Sequence, residues 1–303
     1  MTSVAVCVAT FRRPEGLRAL LASFRAQRFV GSRPDVRLVV VDNDPDGTGR
    51  AILEELEPPW PLTYAVEARR GPATVRNRLI DLAGDVDFVA FIDDDEIAAP
   101  DWLDTLVTAA TTTGAAVVTG PALPRYPTDA PSWMVAGEFH GTAYPSRVRG
   151  EQLRSAATNN TLVRSDVFRS LGLRFDERFN RSGGSDSHLF RRVVASGLEI
   201  VWVPDAVVEE PVTPDRVSFA WILRRGFRDG NIVARCLKDI HPGPKTVARE
   251  AAASLARMAL GLAAMVAGAL RANRTRAVTG LRRVCIGFGG LVACLGFVNE
   301  RYY

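Results

Sequence analysis

The stretch Phe88-Val89-Ala90-Phe91-Ile92-Asp93-Asp94-Asp95-Glu96 decides the reading of this sequence. Five apolar residues in succession read as a strand buried on both faces, the pattern of a parallel sheet covered by helices on each side. The run stops on four carboxylates, at the carboxyl end of the strand, which is where such sheets hold their ligands. Outward from this point the same alternation repeats. Apolar runs at 4–8 and 37–41 and a weaker one at 62–66 predict strands, and the amphipathic stretches 14–27, 49–56 and 72–83 predict helices. Downstream the pattern predicts a helix near Pro100, a strand at 115–119, a strand at 157–163, helices at 165–171 and 188–196, and a strand at 199–203. Residues 121–152, rich in Pro, Gly, Ser and aromatic side chains, read as long ordered loops over the sheet. The expected fold class is α/β, a mostly parallel central sheet with helices on both faces.

The chain has 303 residues, 47% hydrophobic and 24% charged, which excludes disorder, collagen and a disulfide mini-scaffold. Its net charge of +4 conceals a division. Residues 211–303 carry 15 Lys and Arg against 5 Asp and Glu, so the acidic excess lies before them. Cys7, Cys236, Cys285 and Cys294 have neither metal-ligand spacing nor a His cluster nearby, and read as free thiols in a reducing compartment. The N-terminal apolar run is too short for a signal peptide, so a cytoplasmic location is expected. Residues 1–230 are expected to form the domain that carries the chemistry, and 231–303 a basic, apolar helical tail.

Four carboxylates at one strand end repel one another and raise each other's pKa, so a positive partner is expected. A hard divalent cation, Mg²⁺ or Mn²⁺, suits them, with phosphate oxygens completing its shell; capping of the helix near Pro100 is the other use for such residues. Arg76 and Asn77 follow Gly71 on a helix that starts at the same edge, which suits a phosphate-bearing ligand; alternatively Arg76 pairs with Asp81 or Asp85. Neither G-x-x-x-x-G-K-[ST] nor G-x-G-x-x-G after a strand occurs, so the ATPase and dinucleotide-fingerprint readings lack their motifs.

Several motifs, in one order, resemble the inverting glycosyltransferases of family 2, with their GT-A fold. They are Val4-Ala5-Val6-Cys7-Val8-Ala9-Thr10-Phe11-Arg12-Arg13; Val39-Val40-Val41-Asp42-Asn43; Gly71-Pro72-Ala73-Thr74-Val75-Arg76-Asn77-Arg78; and Phe91-Ile92-Asp93-Asp94-Asp95-Glu96, which looks like the D-x-D element. Further on come Phe175-Asp176-Glu177-Arg178-Phe179, Ser182-Gly183-Gly184-Ser185-Asp186 and Val203-Pro204-Asp205-Ala206. The resemblance covers roughly residues 3–230 and implies a nucleotide-sugar donor, most often a UDP-sugar. By the same resemblance Thr10 and Asp42 contact the uracil, and Arg12, Arg76 and Asp94 stand among the donor-binding residues. Asp93 touches the ribose or the metal shell, Asp95 ligates Mn²⁺ or Mg²⁺, and Asp186 is the general base.

Two departures from the family pattern stand out. Ser185 precedes Asp186 where many members have Glu, and Glu209 and Glu210 follow the Val203–Ala206 motif where many have a His ligand, which makes Glu209 a candidate third ligand. Lone His188 and His241 read as packed or surface residues. Trp221, Arg224 and Arg225 lie where relatives hold acceptor or diphosphate, or else form a solvated basic helix face. Two further readings of the motif set are a nucleotide-sugar hydrolase and a sugar-nucleotide-binding adaptor without turnover.

In the tail, the apolar stretches 258–270 and 284–298 are each shorter than the ~20 residues a spanning helix needs. Five arginines lie between them, and as an outer loop they would oppose the positive-inside rule. The tail is therefore expected to lie on the inner face of the cell membrane against anionic lipid, or else to pack as a helical hairpin on the domain or across a homo-oligomer. The acceptor expected for such a protein is a glycan or lipid-linked glycan in exopolysaccharide or cell-envelope synthesis. Nucleic acid is not an expected partner, since no stacking aromatics interleave the basic residues.

Overall fold

The computed structural model describes residues 1–141 and 147–300. Residues 142–146 of the expected 121–152 loop lie outside them. In chain order the first elements are β1 (Ser3–Thr10), α1 (Pro14–Arg25), β2 (Asp35–Asp42), α2 (Arg50–Leu56), β3 (Leu62–Val66), α3 (Pro72–Ala83) and β4 (Phe88–Asp93). Then follow β5 (Ile97–Ala98), α4 (Trp102–Thr113), β6 (Val117–Thr119), β7 (Ala122–Arg125), α5 (Ser132–Val135), β8 (Asn160–Arg164) and α6 (Asp166–Arg169). The remainder are α7 (Ser185–Ala195), β9 (Ile200–Trp202), β10 (Val208–Pro211), α8 (Phe219–Ile240), α9 (Pro244–Leu270) and α10 (Arg274–Cys294).

The chain divides into two compact units. The first comprises 1–124, 141–180 and 188–211. Its main sheet has the order β3-β2-β1-β4-β8-β6-β9, with β8 alone antiparallel to its neighbours β4 and β6. Strand alternation divides the core between the two faces, as period-2 geometry requires. Val4, Val6 and Val8 pack with Leu17, Leu20 and Phe24 of α1 and with Trp102 and Leu106 of α4. Ala5, Cys7, Val39 and Val41 pack with Val75 and Leu79 of α3 and Leu189, Phe190 and Val193 of α7.

A second, three-stranded sheet of order β5-β10-β7 stands where only loops were expected. Strands of two to four residues carry too little periodicity to be legible, and tertiary pairing decides them. A buried hub explains why they assemble. Asn160 accepts from Trp102 Nε1 at 2.8 Å and donates through Nδ2 to the carbonyls of Pro121 (2.9 Å) and Ala206 (2.7 Å). One side chain thereby fixes the segments that lead into β7 and β10.

The second unit comprises 125–140, 181–187 and 212–303. A boundary at residue 230 would cut α8, a single helix of 22 residues. Here α10 packs along α8 and α9 through glycines. A Cβ on Gly289 would lie 1.9 Å from the Phe227 carbonyl oxygen, one on Gly230 1.9 Å from that of Ile286, and one on Gly268 2.4 Å from Ala277 N. The tail helices also correct an expectation. α9 has 27 residues and α10 has 21, and by length and composition both are long and apolar enough to cross a membrane. The alanines at 251–253 extend the apolar part of α9, and small residues extend that of α10.

Candidate active site

Parallel pairing of β1 with β4 puts Ala9 opposite Asp93, so residues 10–13 run beside 94–95 at the carboxyl edge of the sheet. The chain turns tightly after β4, with Glu96 N donating to the Asp93 carbonyl at 3.3 Å. Asp93 and Asp95 are left partly open, with side chains 41% and 21% exposed. Asp94 turns inward, where it accepts from Thr10 Oγ1 (2.8 Å), Phe11 N (3.3 Å) and Arg13 Nη1 (3.1 Å).

The positive partner that the carboxylates demand is supplied by the chain itself. Arg13 Nη1 also lies 2.7 Å from Asp95 Oδ2, and Arg76 Nη2 approaches Asp93 Oδ1 to 3.6 Å. Arg76 thus turns to the cluster; Asp81 pairs with Arg174 and Asp85 with Arg169. Burial pushes the Asp94 carboxyl up to about 6 against the pull of Arg13. Glu96 is driven well above the carboxylate range, first by burial and then by Asp93, Glu210 and Asp95. Glu96 Oε2 has no hydrogen-bond partner among the described residues.

The third-ligand candidate changes. Glu209 is exposed on β10, paired in register with Ile97, whereas Glu210 acts on Glu96 electrostatically. Successive strand residues point to opposite faces, so Glu210, not Glu209, faces the acidic turn. Thr10 and Asp42 lie at the same edge. Thr10 gives its hydroxyl to Asp94. Asp42 is fully buried, and its carboxylate accepts from Asp44 N (2.9 Å), Gly49 N (2.7 Å) and Tyr64 Oη (3.2 Å). Both shape the loops at this edge.

Arg12, with a positive φ of 52°, forms a two-pronged pair with Asp44 at 2.9 and 3.0 Å and holds that carboxyl below its usual range. The Phe11 ring carries the Arg70 guanidinium at 3.8 Å. Asn43 organises the loop bearing Arg70, donating to the carbonyls of Glu67 (2.6 Å) and Arg69 (2.9 Å) and accepting from Gly71 N (3.1 Å). The start of α3 is capped from a distance: Asn180 Oδ1 accepts from Ala73 N (2.9 Å) and Thr74 N (3.4 Å). Asn77 exchanges two hydrogen bonds, each 2.9 Å, with the backbone of Phe175; its role is to fix the helix that carries Arg76. His188 is buried and stacked on Phe179, and His241 is exposed at the end of α8.

Asp186 belongs to the second unit, in the first turn of α7, where its Oδ1 accepts from Ser187 N at 2.7 Å. Gly183 and Gly184 before it adopt φ of 73° and 91°, and a Cβ on Gly184 would meet Ile232 at 2.4 Å. The double glycine is therefore required by backbone and packing alike. In the same unit Trp221 is stacked on His140 at 4.6 Å and carries Arg225 at 5.1 Å, while Arg224 is exposed.

The residues at the turn suit a hard cation: Asp93 and Asp95 present carboxylate oxygens to solvent on a two-residue spacing, in a cluster with surplus negative charge. Arg13, Arg70 and Asn180 were not singled out from the sequence, and of the two glutamates named there Glu209 was the candidate, although the adjacency of β1 and β4 would have pointed to Arg13.

The sequence model of the family described as Glycosyl transferase family 2 matches residues 5–172. The succinoglycan biosynthesis protein ExoM of Rhizobium meliloti (strain 1021) is 40% identical over 234 residues, 77% of this chain and 74% of that protein. Among solved structures, the mannosyltransferase PcManGT of Pyrobaculum calidifontis, in complex with GDP-Man and Mn²⁺, superposes with a TM-score of 0.63 at 22% identity, covering 95% of this chain and 86% of that one. S. aureus TarS 1–349 in complex with UDP gives a TM-score of 0.54 at 17% identity, covering 93% and 90%; of the longer TarS chain this one covers 55%.

Proposed function

The chain belongs to glycosyltransferase family 2, and we propose from that premise that it moves a sugar, with inversion, from a UDP-sugar to an acceptor hydroxyl of a glycan or lipid-linked glycan. The observation that carries the reading is the acidic turn 93–96 with the guanidinium groups of Arg13 and Arg76 against it. Asp93 and Asp95 would hold Mn²⁺ or Mg²⁺, with Glu210 the further candidate. When bound, the ion offsets the charge that grows on the departing diphosphate. Arg76 and Arg13 add fixed positive charge at the same edge, and Arg12 and Arg70 flank the Phe11 ring, a surface suited to a nucleotide.

Inversion needs a carboxylate to take the proton of the attacking hydroxyl on the face opposite the leaving group. We assign that step to Asp186, held at a helix start by an obligatory glycine pair. The similarity to a succinoglycan biosynthesis protein supports exopolysaccharide or cell-envelope synthesis as the setting. A place on the inner face of the membrane is supported by the tail. Arg282 and Arg283 fall in the middle of α10, and Arg282 approaches Asp229 of α8 to 3.5 Å. A helix with paired charge at its centre, packed on a charged helix, favours lying at the interface over crossing.

Labelled UDP-sugars incubated with a membrane lipid extract and Mn²⁺ test the reading. Label in the lipid or glycan fraction is expected, and label released only as free sugar would make the protein a hydrolase. Asp186→Asn should abolish turnover while donor-induced thermal stabilisation persists; retained turnover refutes the base assignment.

A further inference from the structure

A cavity of about 520 Å³ opens in the second unit, lined by Asn273, Thr275, Arg276, Thr279 and Arg283 of the α10 region with Ala264 of α9 and Ala136. Arg276 and Arg283 are exposed, and neither pairs with a carboxylate among the described residues. Between Glu250 and Glu300 the sequence has six arginines and no acidic residue. Two of the six are engaged, Arg257 with Glu250 at 2.7 Å and Arg282 with Asp229 at 3.5 Å. Arg274 stacks on Trp133 at 4.5 Å. The cavity therefore holds two guanidinium groups without an ion pair among the described residues, beside hydroxyl and amide groups, the composition of a phosphate site.

What adjoins it narrows the source of the phosphate. Leu260, one turn before Ala264, is 66% exposed, and Leu255, Leu262, Val266 and Leu270 of α9 are also exposed. From Ala252 to Leu270 the exposed positions of α9 are Ala, Leu and Val, with no charged or polar side chain. A helix of 27 residues with such a face, ending at a basic cavity, matches a lipid: apolar chains along the helix and an anionic head group at its end.

We propose that the cavity binds the phosphate of an anionic membrane lipid, with Arg276 and Arg283 as its ligands and the outer face of α9 against the acyl chains. This rests on the membrane-surface reading above. It gives that reading a site, where charge alone would give only a diffuse attraction.

The test uses the full chain in co-sedimentation with phosphatidylcholine vesicles and with vesicles that also contain phosphatidylglycerol. Three proteins are compared: the unchanged chain, Arg276→Gln with Arg283→Gln, and, as a control of equal charge, Arg271→Gln with Arg274→Gln. The unchanged chain should bind both vesicles and prefer the anionic ones. The cavity pair should lose about tenfold or more of that preference, with phosphatidylcholine binding unaltered, and the control pair at most about threefold. Equal losses would reduce the site to a diffuse basic surface and overturn the proposal while leaving membrane association intact. Absence of binding to either vesicle would remove both. Inorganic phosphate that stabilises the unchanged chain against heat as much as the anionic vesicles do, through the same two arginines, would make the ligand a soluble anion and overturn the lipid assignment.

Discussion

The sharpest quantitative expectation concerns His140 in the second unit, which is 4% exposed and stacked face to face on Trp221 at an interplanar angle of 12°. Its ring nitrogens lie 3.1 Å from Tyr126 Oη and 3.1 Å from the Arg216 carbonyl. A carbonyl only accepts, so Nε2 carries the proton and Nδ1 accepts from the phenol. The site therefore holds a neutral imidazole. Burial is the main reason its pKa falls from 6.5 to about 4, and the guanidinium groups of Arg225, Arg216 and Arg282 add to the fall, opposed by the bond to the Arg216 carbonyl. Asp229, which lies 3.9 Å from Arg225 and 3.5 Å from Arg282, compensates part of that charge.

Because the folded pKa lies below the unfolded one, the unfolded chain binds the proton first as pH falls. The stability due to this group is complete above about pH 6.5 and is lost progressively down to about pH 4. At ~1.4 kcal/mol per pKa unit the full loss is about 3 kcal/mol, with between about 2 and 3 reached by pH 4.5. Urea unfolding followed by tryptophan fluorescence at pH 7.5 and 4.5 measures it, with His140→Gln as the comparison. Glutamine can donate to Arg216 and accept from Tyr126 but does not titrate. The variant should be less stable at pH 7.5 for want of the stack, yet its drop between the two pH values should be smaller by about 2–3 kcal/mol. Groups common to both proteins cancel in the comparison. Equal drops in the two proteins would refute a buried neutral His140.

Two further outcomes follow from the site. Arg13→Gln removes the guanidinium that bridges Asp94 and Asp95; after discounting for its exposure this is worth about 1.4 kcal/mol, so Mn²⁺ should bind about tenfold more tightly without donor. Calorimetric titration giving equal or weaker affinity would show that Arg13 does not compete with the ion. Asn180→Ala removes the acceptor for two orphan amides at the start of α3 and should lower stability by about 1–2 kcal/mol; a change in the urea midpoint worth less than about 0.5 kcal/mol would deny it the capping role.

Long, strongly periodic elements were legible in the sequence. β3 and α3 fall on the residues that alternation and helical spacing mark out, and β1, β2 and β4 differ from expectation only by residues added at their ends. The small sheet was not legible. Pairing against Asn160-fixed neighbours, not the local preference of Val208-Glu209-Glu210-Pro211, makes β10 a strand. The same step explains the exchange of Glu209 for Glu210: two adjacent carboxylates are indistinguishable until a strand assigns them to opposite faces. Thr10 and Asp42 illustrate a further limit, since spacing puts a residue at the sheet edge but only the folded loop shows which neighbours its polar atoms hold.

The acidic turn carries the deeper lesson. Three aspartates in a row demanded a cation, and the chain answers that demand with Arg13 and Arg76, from the end of β1 and the first turns of α3. The chain thus neutralises part of the cluster's charge itself, at Asp93, Asp94 and Asp95. On the proposed reading, an ion taken up by Asp93 and Asp95 does not add charge to a vacant site. It takes over part of the neutralisation, and the guanidinium groups it relieves are left facing the edge where the diphosphate belongs. Donor and metal would then each favour the other's binding, and the tighter metal binding expected for Arg13→Gln should come with weaker donor binding in the same variant. Nucleotide titrations with and without Mn²⁺ measure both constants; Arg13→Gln tightening donor and metal together would contradict a guanidinium shared between them.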